Sequence, residues 1–351
     1  MAMTRKQTDR IMVGGVPIGD HAPVTVQSMT NTDTRDIAAT VAQIRRLEDA
    51  GCDIIRVAVV DMEAAAAIAG IKKQISIPVI ADIHFDFRLA MAAASAGADG
   101  LRINPGNIGG EKKTKAVVDC ARENGVSIRI GINGGSLEKD ILKKYGAPTP
   151  QALADSAIRN IEMVRSMDFH NVKVSIKASD VWRTVAASRL LSEKTSLPLH
   201  LGVTEAGGLY PGIVKSSLGI GTLLSEGIGD TIRVSLTRDP TEEIRVGFEI
   251  LKALNIRRRG PDIISCPTCG RCEIDLFGIV EEVERALLTE TKPITVAIMG
   301  CAVNGPGEAK EADVGIAGGH GRGILFSRGK AIKKVPQKDM VKELLKEIKN
   351  H

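Results

Sequence analysis

Closely spaced cysteines in the last part of this 351-residue chain have the spacing of a metal site. Cys266, Cys269 and Cys272 follow one another in the stretch CPTCGRC, and Cys301 lies further along the chain. Structural zinc sites typically pair two C-x2–4-C halves, whereas an iron–sulfur cluster commonly uses a tight cysteine loop and one remote cysteine. The spacing therefore favours an iron–sulfur cluster, with a zinc site and a thiol redox group as the alternatives.

Glu308 follows Cys301 in the stretch CAVNGPGE, where the Gly-Pro-Gly is predicted to turn the chain back toward the same metal. Glutamate is mostly exposed in proteins, so a surface residue in a turn is one interpretation. As a ligand, its oxygen would bind iron more weakly than a thiolate does. Its displacement would open a coordination position for a substrate, as catalytic metal sites require.

Basic residues inside apolar, strand-like segments form a second group of candidates. A cation in a buried strand is costly unless it is paired or faces a wet cavity. Any one of them could belong to a structural ion pair, but a set at matching positions predicts a site for a compact anion, because arginine forks suit phosphate oxygens. The arginines of this set are Arg56, Arg102, Arg129 and Arg233.

Other polar residues fall in or just beyond the same segments. Lys173 and Lys177 lie in VKVSIKA, and the carboxylates of Asp82 and Glu205 could balance part of the charge. The glycine-rich stretches NPGNIGG, GINGGSLEKD and TEAGG offer free amides to an anion. The remaining members of the predicted polar ring are His84, Asn104, Asn133, Thr204 and Ser235.

Eight short apolar segments carry these residues, and segments with helical periodicity separate them. This alternation predicts the α/β class, with a (β/α)8 TIM barrel over residues 1–255. A doubly wound open sheet is the competing architecture, but no G-x-G-x-x-G follows the first strand. In a TIM barrel, the residues that bind a ligand gather at the carboxyl ends of the strands.

The alternating pattern stops near NIRRRGPD, and residues 256–351 are predicted to form a small α+β domain that carries the metal site. Its expected elements are the cysteine loop, a helix at DLFGIVEEVERALLTE, strands at PITVAIM and GILFSRG, and a basic helix over 338–350.

Composition limits the function classes. The net charge of +5 is mild and aromatic residues make up only 3% of the chain, so neither a basic patch nor a stacking platform for nucleic acid is expected. The longest run of small apolar residues, AAAAIAG, is too short to span a bilayer. The charged N-terminal segment lacks the apolar core of a signal peptide, so we expect a cytoplasmic protein without a membrane partner.

The stretches SCPTCGR and GCAVNGPGEA together resemble those of the 4-hydroxy-3-methylbut-2-en-1-yl diphosphate synthases, in the bacterial two-domain form. These enzymes belong to the methylerythritol phosphate route to isoprenoids. The resemblance covers nearly the whole chain. It continues through VQSMTNT, ADIHFD, LRINPGNIG, RIGINGGSLEKD, VSIKASD and GVTEAGG.

The resemblance implies a [4Fe–4S] cluster held by Cys266, Cys269, Cys301 and Glu308. It also implies the reductive ring opening and dehydroxylation of 2-C-methyl-D-erythritol 2,4-cyclodiphosphate, with two electrons delivered singly by ferredoxin or flavodoxin. A homodimer is expected, in which the cluster domain of one chain caps the barrel of the other. Cys272 departs from the family pattern and is the alternative to Glu308 as the ligand of the fourth iron. We expect its thiol to stay unbound, because four thiolates would leave no position for a substrate oxygen.

On this interpretation Glu205 is the expected proton donor, with His84 as the second candidate, and Glu308 is the displaceable ligand. The rival is a barrel that transforms a phosphorylated metabolite without redox chemistry and carries a structural zinc module, with pterin-binding synthase barrels as the nearest architecture. The residues predicted to bind the substrate are Arg56, Asp82, Arg102, Asn104, Arg129, Asn133, Lys177, Lys215, Arg233 and Ser235.

Overall fold

The computed structural model describes residues 4–301, 303 and 305–351. Contacts between residues divide the chain into two compact units, one ending at Arg257 and the other spanning Arg258–His351. Each unit has its own apolar core. None of the helices in the described ranges is long and apolar enough to cross a membrane.

A short antiparallel hairpin precedes the barrel and consists of β1 (Ile11–Val13) and β2 (Val16–Ile18). Its apolar side chains pack against Ile54 and Ile80, which lie early in two barrel strands. The hairpin therefore covers the N-terminal end of the barrel. Sequence analysis missed it, because strands of three residues are too short to show a period.

Eight parallel strands form the sheet of the first unit, as predicted. They are β3 (Thr25–Met29), β4 (Ile54–Ala58), β5 (Val79–Asp82), β6 (Gly100–Ile103), β7 (Ser127–Asn133), β8 (Val172–Lys177), β9 (His200–Leu201) and β10 (Thr231–Ile232). Neighbouring strands in the sheet follow the order β8, β7, β6, β5, β4, β3, β10, β9.

The sheet closes on itself, which rules out the doubly wound alternative. Val174 of β8 forms a parallel bridge with Leu199, the residue before β9. The amide of Val174 also donates a hydrogen bond to the carbonyl of Pro198 at 3.0 Å. The two ends of the sheet are thereby joined, and the TIM-barrel prediction is confirmed.

Helices separate the barrel strands and begin where the sequence places capping residues. The side chains of Asp36, Asp61, Asp86, Asp180 and Asp239 each accept a hydrogen bond from a first-turn amide. The helices are α1 (Ile37–Ala50), α2 (Met62–Lys72), α3 (Phe87–Ser95), α4 (Glu111–Glu123), α5 (Lys139–Tyr145), α6 (Pro150–Arg165), α7 (Val181–Lys194), α8 (Leu209–Ser225) and α9 (Pro240–Ala253).

The second unit is a five-stranded mixed sheet with helices, in agreement with the predicted α+β class. The first three strands are parallel and the last two run antiparallel to their neighbours. The elements are β11 (Asp262–Ser265), α10 (Leu276–Ala286), β12 (Thr295–Met299), α11 (Gly305–Glu311), β13 (Val314–Gly319), β14 (Arg322–Ser327), β15 (Lys330–Pro336) and α12 (Met340–Asn350). Of these, β11, β13 and β15 were not predicted from the sequence.

Candidate active site

A row of charged side chains crosses the inside of the barrel. Asp82, Arg102, Arg129 and Lys173 are paired in register on the successive strands β5 to β8. Residues paired in this way point to the same face of a sheet. All four are buried, so three of the basic residues that the sequence placed in strands, Arg102, Arg129 and Lys173, do lie inside the first unit.

Asp82 holds three of the predicted site residues together. Its carboxylate lies 3.8 Å from Nε of Arg56, 3.5 Å from Nη1 of Arg102 and 3.5 Å from Nε2 of His84. Burial alone would raise the pKa of Asp82. The charge of Arg56, the hydrogen bond with His84 and the charge of Arg102 outweigh burial and hold that pKa well below its usual range. Asp82 is therefore ionised and orients the cations around it.

Two buried cations next to this group have polar atoms without hydrogen-bond partners among the described residues. These atoms are Nε and Nη1 of Arg129 and Nζ of Lys173, and the two side chains are 2% and 0% exposed. Burial lowers the pKa of Lys173, and the nearby charge of Arg129 lowers it further. Burial likewise lowers the pKa of Arg56 to about 10. An anionic ligand would supply the charge that these groups lack.

Arg233 is the fourth predicted arginine, and a glutamate that sequence analysis missed holds it. The two terminal oxygens of Glu243, on α9, lie 3.4 and 3.5 Å from nitrogens of Arg233. Glu243 is buried and also accepts a hydrogen bond from Ser28 at 2.8 Å. The sequence signal that could have revealed Glu243 is the presence of a glutamate on the apolar face of helix α9.

Lys177 has a buried histidine as its partner. Its Nζ lies 3.2 Å from Nε2 of His200, and Nδ1 of His200 lies 3.3 Å from the hydroxyl of Thr231. Burial lowers the pKa of His200 well below its usual range, and the charge of Lys177 adds to the effect. His200 is therefore a neutral imidazole. Sequence analysis did not single it out, because it lies in an apolar strand segment.

Glycines make room for two of these cations. A Cβ atom on Gly131 would lie 2.7 Å from Nε of Arg102, and one on Gly202 would lie 2.6 Å from Nζ of Lys177. Real Cβ atoms essentially never approach other atoms so closely. Gly131, which begins one of the stretches that the sequence offered as anion-binding turns, and Gly202 therefore leave space for side chains.

Gly202→Ala is expected to destabilise the barrel by about 1–3 kcal/mol and to weaken ligand binding, because overpacking displaces Lys177. The new Cβ would also lie 2.5 Å from the carbonyl oxygen of Arg233. Urea denaturation followed by circular dichroism measures the change. The matched control is Gly221→Ala in α8, where nothing lies within 4 Å and a gain of roughly 0.4–1 kcal/mol is expected. Equal effects of the two changes would contradict the steric argument.

A cavity of about 530 Å³ opens in the first unit, and predicted site residues from four strand ends line it. These are His84, Arg102, Asn133, Thr204 and Glu205. The lining also includes residues that sequence analysis missed, namely Phe85, Asn107, Ser136, Ser179 and Arg183.

The other predicted residues of the barrel are distributed around this cavity in different ways. Arg56, Arg129 and Lys177 are outside the lining and belong to the buried cationic cluster described above. Asn104 is buried and donates to the hydroxyl of Ser136 at 3.2 Å, so it shapes a loop of the lining. Lys215 on α8 and Ser235 beyond β10 are partly buried and are not in the lining.

The two candidate proton donors both lie at the cavity. Glu205 is exposed and has a φ of 54°, a left-handed backbone conformation that is uncommon outside glycine and is found at functional sites. Nδ1 of His84 lies 3.4 Å from Nη1 of Arg102. A guanidinium can only donate, so Nδ1 is the acceptor and the ring proton lies on Nε2, toward Asp82.

The cysteines follow the ends of neighbouring strands in the second unit. Strands β11 and β12 are parallel, with Ser265 opposite Ile298. Cys266 and Cys301 therefore leave the sheet at the same edge. Cys266 is partly buried against an apolar cluster that includes Ala309, the residue after Glu308, and Cys269 is exposed.

Cys272 is engaged differently from the other cysteines. Its thiol donates to the carbonyl of Ile274 at 3.3 Å. A Cβ atom on Gly300 would lie 2.6 Å from its sulfur, so the loop packs closely on the residue before Cys301. The prediction that Cys272 stays unbound is compatible with this hydrogen bond.

Glu308 lies in α11 and is exposed. The Gly-Pro-Gly before it was predicted to form a turn, but the structure places it in the first turn of that helix, where proline is tolerated. Within the described ranges, no three His, Cys, Asp or Glu residues are close enough to hold one metal ion. The donor set still fits an iron–sulfur cluster in its chemistry, because three thiols and one carboxylate come from segments at one edge of the sheet.

Comparison with known proteins covers both units. The model described as the GcpE TIM-barrel domain matches residues 8–248, and the model described as the GcpE protein C-terminal domain matches residues 262–350. A 4-hydroxy-3-methylbut-2-en-1-yl diphosphate synthase (flavodoxin) of Desulfotalea psychrophila is 57% identical over 99% of this chain and 96% of its own length. The enzyme of the same description from Geobacter sulfurreducens is 56% identical over 98% of both chains.

The chain belongs to the 4-hydroxy-3-methylbut-2-en-1-yl diphosphate synthase family. The resemblance found in the sequence motifs is thereby confirmed. This chain is also similar in fold to dihydropteroate synthase from Stenotrophomonas maltophilia. That similarity has a TM-score of 0.50 at 13% identity over 70% of this chain and 99% of the other. It concerns the fold alone and matches the architecture that the sequence suggested.

Proposed function

We propose that this chain is the oxidoreductase that converts 2-C-methyl-D-erythritol 2,4-cyclodiphosphate to 4-hydroxy-3-methylbut-2-enyl diphosphate, by reductive ring opening and dehydroxylation. The name of its relatives supports this activity. The observation that carries the proposal is the excess of cations inside the barrel. Arg129 and Lys173 are buried with unpartnered nitrogens, and Arg102, which is paired in register with Arg129, lines a cavity large enough for a small diphosphate.

The cations bind and orient the cyclic diphosphate. Arg102 reaches the cavity and is fixed by Asp82 at 3.5 Å, so its guanidinium is already aimed before the ligand arrives. Such preorganised charge costs no reorganisation during the reaction. Arg56, Arg129 and Arg233 add positive potential from deeper in the barrel, and Lys177 lies among them. Asn133 and Asn104 order the adjoining loop, while Lys215 and Ser235 act at the periphery of the site.

The second domain supplies the metal ligands. Cys266, Cys269, Cys301 and Glu308 would hold a [4Fe–4S] cluster, with the three thiolates as the strong ligands and the carboxylate as the weaker one. When bound, the cluster supplies two electrons, one at a time. We take residues 1–255 as the substrate domain and residues 256–351 as the cluster domain.

Flavodoxin is the proposed electron donor, following the names of the relatives, with ferredoxin as the alternative. We also propose a cytoplasmic homodimer. An exposed apolar stripe on α8 supports the dimer: Tyr210, Val214 and Leu218 recur at helical spacing and are 80%, 56% and 47% exposed. Exposed apolar patches of this kind mark protein interfaces.

Anaerobic turnover tests the function directly. The purified protein is loaded with iron and sulfide and given the cyclodiphosphate with a chemical one-electron reductant. We expect the diphosphate product and a brown protein that contains iron and acid-labile sulfide. A colourless zinc protein would support the rival without redox chemistry. A fully loaded protein that forms no product would contradict the proposed reaction.

Glu205→Gln is expected to lower kcat by roughly 100- to 10,000-fold while leaving KM nearly unchanged, because the amide keeps the shape but cannot donate the proton. Steady-state kinetics with a chemical reductant measures the effect. His84→Gln is the comparison, and it is expected to have the smaller effect on kcat. Normal turnover by Glu205→Gln would show that His84 or another group donates the proton.

A further inference from the structure

Lys177 lies in a strongly cationic environment inside the barrel. It is 8% exposed, and Gly202 leaves the space that its ammonium nitrogen occupies. The carboxylates nearest to this cluster are already engaged, Asp82 with Arg56 and Arg102, and Glu243 with Arg233. The charged groups that act most strongly on Lys177 are all cations, three of them in other strands and one directly after β10: Arg129, Arg233, Arg56 and Arg102.

The imidazole of His200 offers a neutral hydrogen-bond acceptor next to the side-chain nitrogen of Lys177. His200 is buried and lies under the influence of Lys177, Arg129, Lys173 and Arg56, so its ring stays uncharged. Once Lys177 is an ammonium it can only donate, and Nε2 of His200, which lies 3.2 Å from its nitrogen, is then the acceptor. Nδ1 then carries the ring proton and donates to Thr231 at 3.3 Å. The hydroxyl of Thr231 can accept that hydrogen bond, so it is compatible with the tautomer in which Nε2 accepts from the ammonium.

We propose that Lys177 takes up a proton when the anionic substrate binds, and that His200 is the positioning residue that holds the resulting ammonium through Nε2. The inference rests on the proposed function, because it takes the cyclic diphosphate as the ligand. In that ligand both phosphorus centres are diester-like groups that stay ionised near neutral pH, so a proton bound in this step goes to the protein.

The direction of the pH dependence follows from the environment. Burial, and then the neighbouring cations, lower the pKa of Lys177 in the free protein well below its usual range. A bound dianion favours the charged amine and raises that pKa again. At a pH between the pKa of Lys177 in the free protein and its pKa in the complex, ligand binding takes up a proton. The affinity for the ligand therefore falls as pH rises, by up to about tenfold per pH unit for one proton.

Isothermal titration calorimetry on the oxidised, cluster-loaded full chain tests the inference, with cyclodiphosphate as the ligand and no electron donor. At each of several pH values, the binding enthalpy is measured in buffers of different ionisation enthalpy. The slope of binding enthalpy against buffer ionisation enthalpy gives the number of protons taken up. We expect net uptake by the wild-type protein. Lys177→Arg is expected to show none, because an arginine stays protonated throughout this range.

Variants of His200 distinguish a role in positioning the ammonium of Lys177 from a role in folding alone. His200→Gln keeps an acceptor and is expected to retain the uptake. His200→Leu removes the acceptor and is expected to bind about tenfold more weakly, with the uptake window displaced to lower pH. His170→Gln, at an exposed histidine, is the control and is expected to match the wild type.

Several results would overturn the inference. Binding without proton exchange would refute it and leave the proposed function intact, whereas failure of the cyclodiphosphate to bind would refute both. Unchanged uptake in Lys177→Arg would assign the proton to another group. Should that variant not fold, equal behaviour of the glutamine and leucine variants at His200 would refute the positioning role.

Discussion

Cys266→Ser is expected to lose the bound cluster and all turnover, because serine does not replace a thiolate as a soft ligand for iron. Cys266 leaves β11 at the sheet edge where Cys301 follows β12, so no other described cysteine occupies its place. Iron and acid-labile sulfide per chain, together with the visible absorption of the anaerobically loaded protein, measure the loss. The melting temperature of the second domain is expected to fall as well, since metal binding contributes to folding.

Cys272→Ser is the matched control for that experiment. The thiol of Cys272 is engaged with the carbonyl of Ile274, and a serine hydroxyl can make the same hydrogen bond. We expect this variant to keep its iron, its sulfide and its turnover. Should Cys272→Ser lose the cluster while Glu308→Ala keeps both cluster and activity, the fourth ligand would be Cys272 and the assignment of Glu308 would be wrong.

Arg102→Met is expected to lower kcat/KM by roughly 30- to 4,000-fold, which corresponds to the cost of truncating one partner of a buried charge pair. The change removes the guanidinium that reaches the cavity and leaves Asp82 without one of its cations. Steady-state kinetics with a chemical reductant, compared over a series of substrate concentrations, separates binding from turnover. Most of the loss is expected in KM, since we propose that Arg102 binds the diphosphate before any bond breaks.

Arg88→Met provides the control for loss of an arginine. Arg88 is 73% exposed and pairs with Asp86 at the start of α3, outside the cavity lining. Its kcat/KM is expected to stay within about twofold of the wild type, since exposed pairs contribute little. Similar losses in the two variants would show that net charge, and not the position of Arg102, governs binding.

The barrel was predictable because its signal is local and repeated. Each strand is a short apolar run, and each gap has helical periodicity, so eight repeats specify the architecture even when single boundaries are uncertain. The elements that were missed have weak local signals. β1 and β2 span three residues each, and β15 is a lysine-rich edge strand whose pattern is far from apolar.

The site was predictable in its residue types but not in its contacts. Placing arginines in buried strands was enough to infer an interior that binds anions, and the cysteine spacing was enough to favour a cluster. Neither pattern indicates which cation has a partner. Glu243 and His200 looked like ordinary helix and strand residues in the sequence, yet they hold Arg233 and Lys177.

The sequence by itself therefore determined the fold class and the family, and it predicted the chemical character of the two candidate sites, because periodicity, motif spacing and residue type are properties of short segments. Only the tertiary structure decided which charges are compensated. Closure of the barrel brings side chains from strands far apart in the chain within a few ångströms, where burial and neighbouring charges shift their pKa values. The unpartnered nitrogens of Arg129 and Lys173, and the room that Gly131 and Gly202 leave for Arg102 and Lys177, exist only in that closed arrangement.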